Sequence, residues 1–312
     1  MFYLRRKNMK NANKLLPFAL VFAFALSFLA GCSKSTPATP LGTAPVLSAS
    51  GRRMANPDSL VNVTQLKELI GRDNVVVVDY TDNPSEIIPG AIHVDRTKFI
   101  RTVEGDNQSI ETQAVHERVL GEYGIGNDTI VIVYDNNNNL QATRFLWQLR
   151  AYGHRDVKVL DGGTKAWVAA GETVTNKAAD PKPAVTYKAV NRVGSIRADL
   201  ADVLDATNNP HWNLIDTRRQ SEWDAGRVPG ATQFHYPDDF VNADGTFKTY
   251  EEYEALFRNV PRDTKLITYC QGGIRAATSW YVLTDILGWE NRVLNYDGSW
   301  ANYSWSNSPV EK

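Results

Sequence analysis

The sequence predicts an α/β fold of two tandem, similar domains, each a mainly parallel sheet flanked by helices. Three observations support this prediction. The chain has 312 residues, four landmarks recur in the same order in both halves, and short β-branched strands alternate with helical stretches. A domain usually contains about 100–200 residues, so this length favours two domains. Strands that alternate with helices are typical of a parallel sheet that is covered on both faces.

The internal repeat is visible as four pairs of matching segments. An apolar strand that ends in Asp is followed by a Pro-Gly-Ala turn, a second apolar strand and an Asp-Gly pair. The matching pairs are 74–79 with 213–216, 88–92 with 227–231, 129–135 with 264–270, and 160–163 with 295–298. Agreement of all four pairs in the same order indicates a duplicated domain.

Helical stretches occupy equivalent places in the two halves. Apolar residues at helical spacing precede the first strand of each half, and amphipathic stretches follow the second. These stretches are 63–70, 198–204, 141–152 and 276–287. We place the first domain at 59–175 and the second at 195–312, with a linker at 176–194 that contains two prolines.

The N-terminus has the charge and hydropathy pattern of a secretory signal. Basic residues precede an apolar run at 15–30, which ends in Leu-Ala-Gly-Cys at Cys32. The run is shorter than the ~20 residues that a helix needs to span a bilayer. This ending resembles the lipobox of bacterial lipoproteins. A signal anchor, or a cleaved signal with a chance cysteine, is the alternative interpretation.

The lipobox resemblance implies that residues 1–32 are a lipoprotein signal peptide and that Cys32 is lipidated after cleavage. Several acyl chains, such as palmitate, anchor a protein stably to a membrane. We therefore expect a lipid-anchored protein of the cell envelope, facing the periplasm or at the outer membrane. Residues 33–58 are rich in small and polar side chains and predict a flexible tether.

Composition and charge exclude several classes of function. The formal net charge is −1, so no field of one sign would recruit nucleic acid. Two cysteines, one in the leader and one in the second half, exclude a disulfide framework. The five histidines lack ligand spacing, and no Gly-rich phosphate loop is present, so we expect neither a metal nor a nucleotide cofactor.

Cys270 is the candidate nucleophile because of the loop that follows it. The cysteine ends an apolar strand, and the loop Gln271-Gly272-Gly273 with Ile274 and Arg275 leads into a helix. A tight loop that enters a helix directs backbone N–H groups and the positive end of the helix dipole inward, which favours a thiolate. Arg275 adds a positive charge. A buried structural cysteine is the alternative, but packing alone would not require two adjacent glycines.

Four motifs of the second half together resemble the rhodanese family. They are Leu-Ile-Asp-Thr-Arg at 214–218, Gly-Arg-Val-Pro-Gly-Ala at 226–231, Tyr-Cys-Gln-Gly-Gly-Ile-Arg-Ala at 269–276, and Gly-Ser-Trp at 298–300. The resemblance covers both repeats and implies a duplicated domain in which only the second copy keeps the cysteine. The first copy has Asp135 there, followed by Asn136 to Asn139 in place of a Gly-rich cradle.

The family resemblance implies a sulfurtransferase. The Cys270 thiolate would accept sulfane sulfur from a donor such as thiosulfate, become a persulfide, and pass the sulfur to a thiol or cyanide. Residues 271–275 would form the anion cradle, and Asp216 and Arg218 would bind substrate or support the site. A role as an ion-pair partner is an equally good interpretation of Arg218.

Departures from the family pattern leave the donor open. Arg227 replaces the usual His of the Gly-His-Ile-Pro-Gly-Ala motif, and Glu222 stands where some two-domain members have a second arginine. The active loop matches neither the mercaptopyruvate type nor the vertebrate thiosulfate type. We favour thiosulfate or another persulfide donor over 3-mercaptopyruvate.

Two other functions remain as alternatives. A cysteine phosphatase or arsenate reductase wraps its oxyanion with Cys-x5-Arg, whereas this chain has Cys-x4-Arg, a loop suited to a single sulfur atom. A non-catalytic module would carry or sense sulfur, or bind a partner through the first repeat. Turnover, and a sulfur that cyanide can remove, would distinguish an enzyme from such a module.

Overall fold

The computed structural model describes residues 46–47, 51–103, 105–289 and 292–312. The predicted signal peptide, Cys32 and most of the predicted tether lie outside these residues. Among the described residues, no helix is long and apolar enough to cross a membrane.

The strands and helices alternate along most of the chain. The strands are β1 (Val46–Leu47), β2 (Arg53–Met54), β3 (Leu60–Val61), β4 (Val75–Asp79), β5 (Ile92–His93), β6 (Ile100–Val103), β7 (Asp106–Ile110), β8 (Ile130–Tyr134), β9 (Val157–Leu160), β10 (Arg197–Ala198), β11 (Trp212–Asp216), β12 (Ala231–Gln233), β13 (Lys265–Tyr269) and β14 (Val293–Tyr296). The helices are α1 (Val63–Leu69), α2 (Gln113–Glu122), α3 (Leu140–Ala151), α4 (Gly163–Ala169), α5 (Val193–Ile196), α6 (Leu200–Ala206), α7 (Gln220–Ala225), α8 (Tyr250–Leu256), α9 (Ile274–Tyr281) and α10 (Ser299–Trp305).

Two five-stranded parallel sheets have the same topology. The first has the order β3-β9-β8-β4-β5, and the second has the order β10-β14-β13-β11-β12. All their pairs are parallel. The central strands β8 and β13 are apolar and almost wholly buried, as expected for sheets covered on both faces. The prediction of two tandem α/β domains is therefore confirmed.

The linker packs on the first repeat, and the second amphipathic stretch is only partly α-helical. The linker is bound to the first repeat, because the N–H groups of Val190 and Arg192 donate to the carbonyls of Tyr152 and Ala151. The stretch predicted as a helix at 276–287 is α-helical only as far as Tyr281 and continues as a π-helix at Val282–Ile286. Carbonyls of this π-helix accept the N–H groups of residues 55 and 56, which precede the first repeat.

The two repeats share one apolar core, centred on the packing of α3 against α9. Residues from both, such as Phe145 and Tyr281, lie fully buried in the same cluster. At the contact, the hydroxyl groups of Thr143 and Thr278 are 2.8 Å apart and hydrogen-bonded. Each repeat also has an apolar cluster of its own on the other face of its sheet, so the shared core joins two domains that are each partly packed by themselves.

A segment of each repeat also packs against the other repeat. In the first repeat, β6 and β7 form an antiparallel hairpin, and the Ile110 N–H donates to Asp297 of the second repeat over 2.8 Å. In the second repeat, the Phe247 N–H donates to Asp161 of the first over 2.8 Å. Asp161 and Asp297 belong to the matching Asp-Gly pairs of the duplicated sequence. The exchange is therefore reciprocal, as expected of a duplicated pair.

Asp135 fills the loop of the first repeat with its own carboxylate. Its Oδ1 accepts the N–H groups of Asn137 and Asn139, and its Oδ2 accepts those of Gln141 and Ala142, over 2.7–3.1 Å. Asn138 and Asn139 adopt φ values of 58° and 62°, a left-handed conformation that Asn tolerates better than most residues. A cradle of N–H groups therefore forms here without glycine. The asparagines of this loop predict that it has no such cradle, and that prediction is wrong.

We predict that Asp135→Ala lowers the free energy of unfolding by about 2–4 kcal/mol, because four backbone N–H groups lose a buried acceptor. Chemical denaturation of the chain without its leader measures this change, and Asp128→Ala, at an exposed position of the same repeat, is the control. Sulfur transfer by the folded variant should stay close to the wild-type rate. Loss of turnover in a fully folded variant would place Asp135 in the chemistry.

Candidate active site

A cleft of about 1040 Å³ lies at the carboxyl end of β13, between the two repeats. The second repeat supplies Cys270, most of its loop and Arg275. The first supplies the β6–β7 hairpin and the loop after Asp135. The lining residues are Thr102, Val103, Gly105, Asp106, Gln108, Asn137, Asn138, Leu140, Arg219, Glu222, Tyr236, Pro237, Cys270, Gln271, Gly272, Ile274, Arg275 and Ala301. The carboxyl ends of parallel strands are where such folds usually bind ligands.

Cys270 lies at the base of this cleft, and its backbone is held on both sides. Its N–H donates to Ser299 Oγ over 3.0 Å, and its carbonyl accepts the Trp300 N–H over 2.9 Å. The cysteine is a free thiol and only 1% exposed. The Gly-Ser-Trp motif at 298–300 therefore fixes the backbone from which the sulfur projects.

Gly273 is required where the loop enters α9. Its φ is 77°, and a Cβ atom there would lie 2.5 Å from the carbonyl oxygen of Asp297. Both the backbone conformation and the close approach therefore exclude a side chain. Of the predicted cradle, the structure places residues 271, 272, 274 and 275 in the cleft lining, whereas Gly273 is buried behind them.

Arg275 is held by Glu222 in a bidentate ion pair. Its two terminal nitrogens donate to the two carboxylate oxygens over 2.7 and 2.8 Å. Burial alone would lower the pKa of Arg275, but its hydrogen bonds to Glu222 and the neighbouring Cys270 side chain raise it. In turn, the hydrogen bonds from Arg275 hold the pKa of Glu222 below its ordinary value. The positive charge predicted beside Cys270 is present, but a carboxylate partly neutralises it.

Arg218 and Asp216 form a buried pair behind the cleft. The Arg218 guanidinium donates to both oxygens of Asp216 and to the Gly226 carbonyl, and it lies 4.4 Å from the centre of the Trp300 ring. Arg218 is only 1% exposed. This arrangement supports the end of β11 and the Trp300 segment. Arg218 is not among the residues that line the cleft, so the structure does not place its guanidinium where it was predicted to bind substrate.

Arg219, Tyr236 and Gln108 line the cleft but were not singled out from the sequence. Arg219 is the neighbour of the predicted Arg218 and is exposed at the mouth. Tyr236 donates its hydroxyl to the backbone carbonyls of Asn137 and Asn138 across the repeats. The adjacent arginines were a signal for Arg219. No sequence signal showed that the hairpin of the first repeat would reach the second repeat's loop.

The loops after Asp135 and Cys270 differ by one residue. Four residues separate Asp135 from the start of α3, whereas three separate Cys270 from the start of α9. The longer loop surrounds a carboxylate with two oxygens. The shorter loop has one residue fewer with which to surround a bound group.

Comparison with known proteins identifies the family. A model described as a rhodanese-like domain matches residues 62–170 and 199–305, which is more than half of the chain. A thiosulfate sulfurtransferase of Corynebacterium glutamicum is 32% identical over 282 residues, covering 82% of this chain and 91% of the relative. The sulfur carrier protein TtuD of Thermus thermophilus is 32% identical over 275 residues, covering 80% and 94%. The chain therefore belongs to the rhodanese-like family, and it is a sulfurtransferase.

Solved structures show the same fold. Escherichia coli SseA, described with the 3-mercaptopyruvate sulfotransferases, superposes with a TM-score of 0.69 at 24% identity, covering 77% of this chain and 98% of SseA. The anaerobic ergothioneine biosynthesis enzyme of Chlorobium limicola gives 0.71 at 22% identity, covering 83% and 70%. These identities support the fold. The resemblance to the rhodanese family seen in the sequence is thus confirmed.

We predict that Arg275→Ala lowers kcat/KM for an anionic sulfur donor about ten- to a hundred-fold, because one charge-assisted contact is lost. The variant also leaves the Glu222 carboxylate without its guanidinium partner in the cleft, where its negative charge would repel the donor. Adding Glu222→Gln to Arg275→Ala should therefore restore part of the lost activity.

Steady-state assays of the single and double variants measure this recovery. Arg262→Ala is the matched control, since it removes an exposed ion pair with Glu254 of similar length, 2.8 Å. Exposed pairs contribute little, so its kcat/KM should not change. A double variant that is no more active than Arg275→Ala would contradict repulsion by Glu222.

Proposed function

We propose that this sulfurtransferase moves sulfane sulfur from a donor such as thiosulfate to a thiol or cyanide through a persulfide on Cys270. The observation that carries the proposal is the position of Cys270 at the base of the cleft. It faces Arg275 and lies on a loop shorter than the one that encloses Asp135. The thiosulfate sulfurtransferase name of the Corynebacterium relative also supports this donor class.

The proposed reaction has two steps on one sulfur atom. The Cys270 thiolate attacks the outer sulfur of thiosulfate, the S–S bond of the donor breaks, and sulfite leaves with the electron pair. Cyanide or a thiolate then attacks the terminal sulfur of the persulfide, and the Cys270 thiolate is released. Both steps pass through anions in the cleft, which the Arg275 guanidinium and the N-terminal N–H groups of α9 would stabilise.

The length of the loop favours sulfur transfer over phosphate chemistry. Only residues 271–273 lie between Cys270 and α9, so few N–H groups are available to surround a tetrahedral oxyanion. The persulfide would be equally suited to a sulfur carrier, which is how the Thermus relative is named. Repeated turnover with cyanide distinguishes an enzyme from a carrier that is loaded only once.

We predict that Cys270→Ser abolishes turnover while the fold remains, because a hydroxyl is a weak nucleophile towards sulfur. The measurement is thiocyanate formation from thiosulfate and cyanide, together with the mass of the protein after exposure to thiosulfate alone. The wild type should gain one sulfur atom that cyanide removes, and the variant should gain none. Sulfur transfer by Cys270→Ser at the wild-type rate would rule out this mechanism.

We also propose that the chain is a lipoprotein of the cell envelope, held to a membrane by acyl chains on Cys32. The proposal rests on the basic N-terminus, the short apolar run and the Leu-Ala-Gly-Cys ending. The part of the predicted tether (33–58) that precedes Ala55 and Asn56, whose N–H groups are bound to the π-helix, would then hold the catalytic unit away from the membrane surface. Its donor and acceptor would be small molecules or proteins outside the cytoplasm.

We predict that Cys32→Ser prevents lipidation and processing of the full-length chain. Cell fractionation and metabolic labelling with palmitate measure the effect, and Ser33→Ala is the control because it leaves the cysteine in place. The variant should lose the palmitate label, whereas Ser33→Ala should keep it. A Cys32→Ser protein that still incorporates palmitate would show that the lipobox interpretation is wrong.

A further inference from the structure

Gln108 belongs to the first repeat but lies over the active loop of the second. It is part of β7 and lines the cleft together with Cys270 and Arg275. A Cβ atom added to Gly272 would lie 3.1 Å from Cγ of Gln108 and 3.4 Å from its Cβ. The side chain of Gln108 is therefore packed directly against the loop that follows the nucleophile.

The backbone of Gln108 is fixed by two hydrogen bonds. Its N–H donates to Asp106 Oδ1 over 2.8 Å, and its carbonyl accepts from Nη2 of Arg144 over 2.8 Å. The same nitrogen of Arg144 donates to Asp297 over 2.6 Å, in a pair that is buried between the repeats. The position of Gln108 is thus tied to the contact that joins the two repeats.

The orientation of the Gln108 amide follows from its partner. Nη1 of Arg96 lies 3.0 Å from Oε1 of Gln108, and Nε of Arg96 donates to Asp82 over 2.8 Å. Arginine can only donate, so the atom that faces Arg96 must be the amide oxygen. The amide nitrogen Nε2 is then directed elsewhere, and it has no hydrogen-bond acceptor among the residues that the structure describes.

We propose that Nε2 of Gln108 donates a hydrogen bond to an oxyanion oxygen of the sulfur donor while the donor transfers its sulfur to Cys270. This proposal rests on the proposed function. The donor class is a sulfur bound to an oxidised sulfur group, as in thiosulfate, and Gln108 is the residue that selects for it. When the donor's S–S bond breaks, negative charge increases on the departing sulfite. A fixed donor at those oxygens stabilises this charge.

The proposal separates the two steps of the reaction. Sulfite has left before the acceptor attacks the persulfide, so Gln108 contributes to loading of Cys270 and not to its discharge. It also separates donors by their chemistry. Inorganic polysulfide gives up sulfur to the Cys270 thiolate and leaves as a shorter polysulfide, and it has no oxygen atom for Gln108 to bind.

The test uses Gln108→Met, which keeps the length of the side chain and removes the amide donor. Loading of Cys270 is followed by the mass gain of one sulfur atom in a single turnover, from thiosulfate and separately from polysulfide. Loading from thiosulfate should slow about ten-fold or more, as the loss of one hydrogen bond to an anion predicts. Loading from polysulfide, and discharge of the preloaded variant to cyanide, should stay within about two-fold of wild type.

Gln108→Glu is the second variant, because its carboxylate can still accept from Arg96 but repels an anionic donor. It should load from thiosulfate more slowly than Gln108→Met. Gln220→Ala, an exposed glutamine of the second repeat whose amide contacts Asp224, is the control and should behave as wild type.

If Gln108→Met loads sulfur from thiosulfate at the wild-type rate, the proposal is wrong. It is also wrong if the variant's loading rates from thiosulfate and from polysulfide fall by the same factor. Failure of the proposed function looks different. In that case, the wild-type protein itself would not gain a sulfur atom on Cys270 from any donor.

Discussion

The buried ion pair between Arg144 and Asp297 is the contact on which the cleft depends. Arg144 belongs to α3 of the first repeat, and Asp297 follows β14 of the second. Both side chains are almost completely buried. The same carboxylate accepts the Ile110 N–H at the base of the β6–β7 hairpin. A buried charge that loses its partner costs about 3–5 kcal/mol. The pair therefore holds the hairpin, α3 and the Cys270 loop in one fixed arrangement.

Duplication followed by divergence explains why this site has one cysteine and two repeats. Both loops run from a central strand into a helix that packs on its counterpart across the contact between repeats. In the first repeat, the loop is one residue longer, and the Asp135 carboxylate accepts hydrogen bonds from four N–H groups of the loop and the start of α3. In the second repeat, the shorter loop presents Cys270 at an open cleft. The first repeat thus supplies the wall of the site rather than a second nucleophile.

Several features were predictable because they depend on local sequence. The strand ending at Cys270, the glycines after it and Arg275 lie within a few residues of one another, so their pattern predicts the loop and its helix. The partner of Arg275 could not be predicted in the same way, because Glu222 is 53 residues away along the chain. Gln108 was also missed because it lies far from Cys270 along the chain. In addition, the polar hairpin that contains it has no apolar pattern that marks it as part of a site. The asparagines after Asp135 also gave a misleading signal, since Asn can adopt the left-handed conformation that glycine usually supplies.

The first repeat helps to build the cleft that holds Cys270. The most direct measurement is the single-turnover rate of sulfur loading from thiosulfate in Arg144→Lys. Lysine keeps the charge but lacks the planar fork of Arg144, whose Nη2 donates to the Gln108 carbonyl and to Asp297 while its Nη1 donates to the Gly273 carbonyl. Loading should slow about five-fold or more, as expected for one lost hydrogen bond, in a protein that remains folded. Loading at the wild-type rate in the folded variant would contradict a role for the first repeat in the site.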